Sequence, residues 1–212
     1  MSSTRQTHWD TVYAEKHAGQ TSWFRPRLDE SLRLIDALDV PRDLPAIDVG
    51  GGRATLVDDL LARDFADVSV LDLSAVAMAE AQQRLGALAH PVRWIVGDVT
   101  HHEFPASHYA LWHDRAVFHF LTDAGEQSRY VASITRAMRP GGYAVIGTFA
   151  ADGPERCSGL PVARYDAASL AALFEPAFTL ITHSRDVHHT PSGNEQAFTY
   201  VVLQRCNDGT GV

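Results

Sequence analysis

Residues 46–49 read Ala46, Ile47, Asp48, Val49 and run directly into three glycines, Gly50, Gly51 and Gly52. A short apolar run closed by glycines and followed by a helix-forming stretch at 54–62 reads as a buried strand turning tightly into a helix. The pattern then recurs. Strand-like runs at 68–71, 92–96, 109–112 and 143–149 alternate with helix-forming stretches at 74–85 and 115–138. Strands separated by helical crossovers build a parallel sheet, because each crossover must return across the sheet before the next strand begins. After residue 150 the rhythm changes. A polar loop and a helix at 167–174 lead to strand-like runs at 178–185 and 196–204, joined through Pro191, Ser192, Gly193 and Asn194. Such a link is a hairpin signal. The expected fold class is α/β: a seven-stranded sheet, mostly parallel, with a C-terminal antiparallel hairpin strand and helices on both faces.

The first forty residues stand ahead of this repeat. A helix over 7–17 carries Trp9, Val12 and Tyr13, and a turn follows through Gly19, Thr21, Ser22, Trp23 and Phe24. Leu28, Leu32, Ile35 and Leu38, at near-helical spacing, give a second helix an apolar face. A chain of 212 residues has room for one α/β core. The expected organisation is a single domain, with 1–44 a helical lead-in or lid packed on a core at 45–206. Composition narrows the partners. Lys and Arg number 18 against 26 Asp and Glu, a net charge of −8 with no long basic block, so neither nucleic acid nor an anionic membrane surface is expected. Cys157 and Cys206 form no local pair, residues 1–9 are polar, and no long apolar run occurs. The expectation is a cytoplasmic chain with no signal peptide.

The glycine turn lets a ligand approach the backbone at the start of a helix, though alone it is a weak sign. Asp72 sharpens it. It ends the second strand, 20 positions beyond Gly52, where a carboxylate accepts hydrogen bonds from both hydroxyls of a ribose. That indicates a nucleoside ligand and leaves its kind open. A dinucleotide pattern would place a third glycine where Thr55 stands, which weakens the pyrophosphate reading and, with it, a nucleotide-binding oxidoreductase. A non-catalytic binding domain remains a further alternative.

These residues resemble the class I S-adenosylmethionine-dependent methyltransferases, of Rossmann-like fold. The resemblance lies in the glycine turn at 48–52, Asp72, the Gly97-Asp98-Val99 run after the third strand, Arg139-Pro140-Gly141-Gly142 before the fifth, and the terminal hairpin, and it spans roughly 9–204. Arg53 departs from it, since the family often has a small residue there. The resemblance implies S-adenosylmethionine as cofactor, with S-adenosylhomocysteine as product. It implies that Gly50, Gly51 and Gly52 lie along the methionine and ribose, that Asp72 holds the ribose hydroxyls and that Leu73 packs on the adenine. Asp98 then bonds the adenine amino group, with Val99 beside it. Asp48 and His113 lie toward the methionine end, and Trp23, with Tyr13, closes over the site.

The acceptor is less constrained. Ligands of an open parallel sheet sit at the carboxyl ends of its strands. Of 11 histidines, seven (101, 102, 113, 119, 183, 188 and 189) fall on segments that begin or end at that rim. The candidate catalytic residues are His113, Asp114, Arg115 and His119. Histidine titrates near neutrality and suits a proton acceptor. Arg115 and His119, four apart, are expected to share a helix face, with Arg115 orienting an anionic acceptor. A metal held by these histidines and Cys157 lacks any local ligand spacing, so no metal is expected. The lead-in at Trp9, Tyr13 and Ser22-Trp23-Phe24 is similar to that of seven-strand protein-lysine methyltransferases, the alternative reading, and also to that of enzymes acting on small thiols and oxyanions. The compact chain favours a small-molecule acceptor, with the enzyme a monomer or homodimer.

Overall fold

The computed structural model describes residues 2–207; Met1, at the start of the expected lead-in, and residues 208–212 lie outside it. The chain opens with α1 (Ser2–Glu15) and α2 (Asp29–Asp36), then alternates β1 (Ala46–Val49), α3 (Leu56–Leu61), β2 (Val68–Asp72), α4 (Ala75–Leu85), β3 (Arg93–Val96) and β4 (Tyr109–Arg115). It continues through α5 (Ala124–Ala137) and β5 (Met138–Phe149) to a small two-stranded hairpin, β6 (Arg156–Cys157) and β7 (Leu160–Pro161). Then follow α6 (Ala167–Ala172), β8 (Phe178–His189) and β9 (Glu195–Arg205). The main sheet has seven strands in the order β3-β2-β1-β4-β5-β9-β8. β1 to β5 pair in parallel, whereas β9 is antiparallel to both β5 and β8.

Both faces of the sheet are covered, which is why its central strands read as unbroken apolar runs. On one face α2, α3 and α4 bring Leu32, Ile35, Leu56, Leu60 and Met78 against Ala46, Val70 and Val145. On the other, α5, α6 and the turn after α6 bring Tyr130, Ile134, Leu170 and Phe174 against Ile47, Trp112 and Ile146. Helix starts follow their capping residues: Ser74 accepts from the Ala77 N–H at α4, Asp123 from Glu126 at α5 and Asp166 from Ser169 at α6.

The continuous helix expected over 115–138 is corrected. β4 runs on through Arg115, which pairs with Gly147 of β5. Ala116 then takes a positive φ of 72°, a value that ends regular structure in an L-residue. A single 3-10 turn at Phe118–Phe120 follows, and α5 begins only after the Asp123 cap. Arg115 and His119 therefore share no helix face. Elsewhere the differences are of extent: α1 starts at Ser2, β8 reaches His189 because its ladder with β9 continues to Glu195, and β6–β7 was not foreseen. Among the described residues no helix is long and apolar enough to cross a membrane.

Candidate functional site

The carboxyl ends of β1 to β4 open onto one cavity of about 200 Å³, and the turn after β1 forms its floor. Gly50 has a φ of 72°, and a Cβ there would sit 2.0 Å from Cγ2 of Val117. At Gly52, with φ 45°, a Cβ would sit 2.9 Å from Oδ2 of Asp72 and 3.1 Å from the Tyr13 hydroxyl. Both the backbone conformation and the space require glycine. Arg53, the departure from the family pattern, is buried and lies off this cavity. Its guanidinium donates to the carbonyls of Tyr13 (2.7 Å) and Lys16 (2.6 Å) and to the Glu80 carboxylate (2.6 Å), and it stacks over the Tyr13 ring. It thus satisfies carbonyls that the end of α1 leaves without helical partners.

Asp72 stands at the tip of β2, nearly buried, with one oxygen accepting the Ser74 N–H at 2.8 Å. Burial pushes its carboxyl up to about 7, and the nearby Asp48 and Asp10 carboxylates reinforce the shift. Asp98, after β3, accepts from the Thr100 N–H and hydroxyl, and Leu73 and Val99 line the same end of the cavity.

The roof comes from distant segments. Trp9 and Tyr13 on α1, Trp23 in the following turn and Phe120 contact one another edge to face or tilted, with ring centroids 5.2–6.0 Å apart. Cys157 and Leu160 of the small hairpin complete the wall. Three ties hold α1 down: Arg53, the Ser74 hydroxyl on Asp10 (2.6 Å), and Arg5 on Glu126 (2.7 Å). Trp9, Val117 and Phe120 are not singled out as site residues by the sequence, and Cys157 only as a rim residue and candidate metal ligand. The i, i+4 spacing of Trp9 and Tyr13 was the available signal.

A second cavity, of about 50 Å³, adjoins the first through Tyr13, Trp23, Gly50 and Arg115, and it is lined by Asp48 and His113. His113 is fully enclosed. Its Nδ1 lies 2.7 Å from Oδ1 of Asp48, and its Nε2 lies 2.9 Å from the Ser31 hydroxyl of α2. The Asp48 carboxylate only accepts, so Nδ1 carries hydrogen and, in the neutral ring, Ser31 donates to Nε2. Asp114 faces the opposite side of β4. It accepts from the N–H groups of Val117 and Phe118 and from the Tyr130 hydroxyl (2.6 Å), which in turn accepts from the Trp112 indole. Burial raises the Asp114 carboxyl to about 6.

The other rim histidines do not converge. His119 lines neither cavity; its ring packs on Phe149, and burial, followed by the Arg115 charge, pushes its imidazole down to about 3. His188 accepts from Nε of Arg25 and donates to the Ser22 carbonyl, with its imidazole held down to about 4 chiefly by burial. His101, His183 and His189 are exposed, and His102 meets Phe104 edge to face. Among the described residues no three His, Cys, Asp or Glu side chains are grouped to hold a metal ion. Burial raises the Cys157 thiol to about 11, against the opposing influence of Arg115.

Residues 46–142 match the family model described as a methyltransferase domain. No curated protein matches the chain significantly. Among solved structures, the Burkholderia thailandensis 1,6-didemethyltoxoflavin-N1-methyltransferase, with 1,6-didemethyltoxoflavin and S-adenosylhomocysteine bound, superposes with a TM-score of 0.74 at 21% identity, over 96% of this chain and 89% of that one. A SAM-dependent methyltransferase from Anabaena variabilis gives 0.72 at 15% identity, over 96% and 94%. A structure concerned with conversion of a disulfide bond into a thioacetal group during echinomycin biosynthesis gives 0.79 at 16% identity, over 97% and 94%. At these identities the likeness is one of fold.

Proposed function

We propose that the chain is a class I S-adenosylmethionine-dependent methyltransferase that transfers a methyl group to a small-molecule acceptor, a reading supported by the match of residues 46–142 to a methyltransferase domain. One observation carries the reading: a buried carboxylate at the tip of β2 and a glycine turn after β1 close on a single roofed space. The residues fit the cofactor. Gly50, Asp72, Leu73, Asp98 and Val99 line one cavity, an acidic and apolar set suited to a ribose and an adenine.

When bound, the cofactor supplies a methyl group already activated on a sulfonium, so the chain needs no nucleophile of its own. Asp72 accepts from the ribose hydroxyls, and Asp98 and Val99 take the adenine, with Leu73 against its face. Asp48, held by His113, lies beside the glycine turn at the methionine end. The aromatic roof of Trp9, Tyr13, Trp23 and Phe120 excludes water, and α1 acts as the lid. What remains for the protein is to align the acceptor with the methyl group.

Support for a small acceptor comes from the roofed cavity and from the toxoflavin-precursor enzyme, whose own acceptor is small. Titration calorimetry with S-adenosylhomocysteine tests the donor: binding is expected, and its absence removes the methyltransferase reading. Incubation with labelled S-adenosylmethionine and cell lysate tests the acceptor. Label is expected in the small-molecule fraction, and label confined to protein bands replaces this acceptor with a protein.

A further inference from the structure

Four arginines line the two cavities, and three of them are neutralised. Arg5 meets Glu126 at 2.7 Å, Arg25 meets Asp186 at 2.7 Å and Arg53 meets Glu80 at 2.6 Å. Arg115 has no such partner; among the described residues no carboxylate lies within ion-pair distance of its guanidinium. Its Nε donates to the Tyr200 hydroxyl (3.1 Å), its Nη1 donates to the Trp23 carbonyl (3.3 Å), and its plane stacks 4.3 Å over Phe198. Those contacts hold the fork rigidly. Nη2 has no hydrogen-bond partner and is covered by protein, so Arg115, which lines both cavities, presents its charge to them without an opposing carboxylate. A guanidinium cannot shed its charge, and leaving it partly buried without a counter-charge is unfavourable.

We propose that the methyl acceptor is a small, largely apolar organic anion, and that Arg115 is the residue that reads its charge. The proposal rests on the small-molecule methyltransferase reading above. The order of strands separates acceptor from cofactor. Asp98 follows β3, Asp72 ends β2 and Gly50 follows β1, so the cofactor groups occupy the β3-β2-β1 side. Arg115 ends β4, and Cys157 and Leu160 follow β5, on the side where the acceptor enters. The apolar part of the acceptor meets Trp9, Trp23, Phe120 and Leu160. Arg115 attracts the anion without taking up a proton, so it sets charge selectivity and leaves the balance of the methyl transfer unchanged.

The test uses benzoate and benzamide, isosteric probes that differ in charge, titrated into the full chain saturated with S-adenosylhomocysteine and followed by ligand-observed NMR. A charge-assisted fork predicts that benzoate binds about ten- to a hundred-fold tighter than benzamide. In Arg115→Gln the preference is expected to vanish, while Arg115→Lys keeps part of it. The affinity for S-adenosylhomocysteine is expected to stay within about two-fold in both, since the contact lies off the cofactor. Benzoate binding no tighter than benzamide in the wild-type chain overturns the proposal, and this arm needs no variant to fold. Loss of S-adenosylhomocysteine binding in Arg115→Gln with the benzoate preference intact also overturns it, assigning the guanidinium to the cofactor's carboxylate. A wild-type chain that fails to bind S-adenosylhomocysteine overturns the underlying methyltransferase reading, and the inference with it.

Discussion

Asp72 makes cofactor affinity depend on pH in a way its surroundings dictate. Burial, with Asp48 and Asp10 nearby, lifts its carboxyl to about 7. Ribose hydroxyls donate to the ionised form, so binding favours deprotonation and affinity rises with pH. With a value near 7, the ionised fraction falls from about nine-tenths at pH 8 to about one-tenth at pH 6, a loss of about ten-fold in affinity if only the carboxylate accepts both hydroxyls. Calorimetry with S-adenosylhomocysteine at pH 6, 7 and 8, in two buffers of different ionisation enthalpy, measures both the affinity and the proton released at pH 6. Asp72→Asn is expected to bind more weakly at pH 8 and to show no slope. The free chain responds in the opposite sense. The native state keeps a proton that the unfolded chain loses above about 4, so stability without ligand falls as pH rises through about 4 to 7, with Asp114 adding to the same trend. A wild-type affinity that is flat from pH 6 to 8, or an equal slope in Asp72→Asn, refutes the reasoning.

Gly50→Ala drives a Cβ to 2.0 Å from Cγ2 of Val117 in a left-handed backbone, and a stability loss of about 1–3 kcal/mol by thermal denaturation is expected, together with loss of S-adenosylhomocysteine binding. Adding Val117→Ala removes the clash but not the backbone strain, so it should recover part of the stability; no recovery argues against the contact. Arg53→Ala leaves two carbonyls and Glu80 without their partner, and limited proteolysis should cut α1 faster, with S-adenosylhomocysteine binding weakened about ten-fold or more. His113→Leu strips the buried Asp48 and Ser31 of their shared partner, and urea unfolding should show a loss of about 3–5 kcal/mol.

The parts of the fold readable from sequence are those whose cause is local. The glycine turn, the Asp72 strand end and the hairpin link at Pro191–Asn194 are set by neighbours along the chain, and the structure has each at its expected place. The stretch from Arg115 to Phe120 was not readable, because its helical spacing is overruled by pairing with β5 and by the reversal at Ala116. The roof was only partly readable, since Trp9, Phe120 and Leu160 meet from three distant segments.

The histidines show where topology stops being informative. Strand order places the ends of β3, β4 and β5 on one rim, but it does not say which side chains look into the space. Alternation along a strand does. On β4, Trp112 and Asp114 turn to the α5 face and meet Tyr130, whereas His113 and Arg115 turn to the other and reach the cavities. His113 and Arg115 then differ in what each face offers them. His113 spends both ring nitrogens on Asp48 and Ser31 and so anchors the glycine turn, leaving no free nitrogen for an acceptor. Arg115, two residues on, meets only neutral groups, with Nη2 unpartnered. His119 Nε2 also lacks a partner, but His119 lines neither cavity; Arg115 lines both without a counter-charge, and what it offers there is attraction for a negative charge.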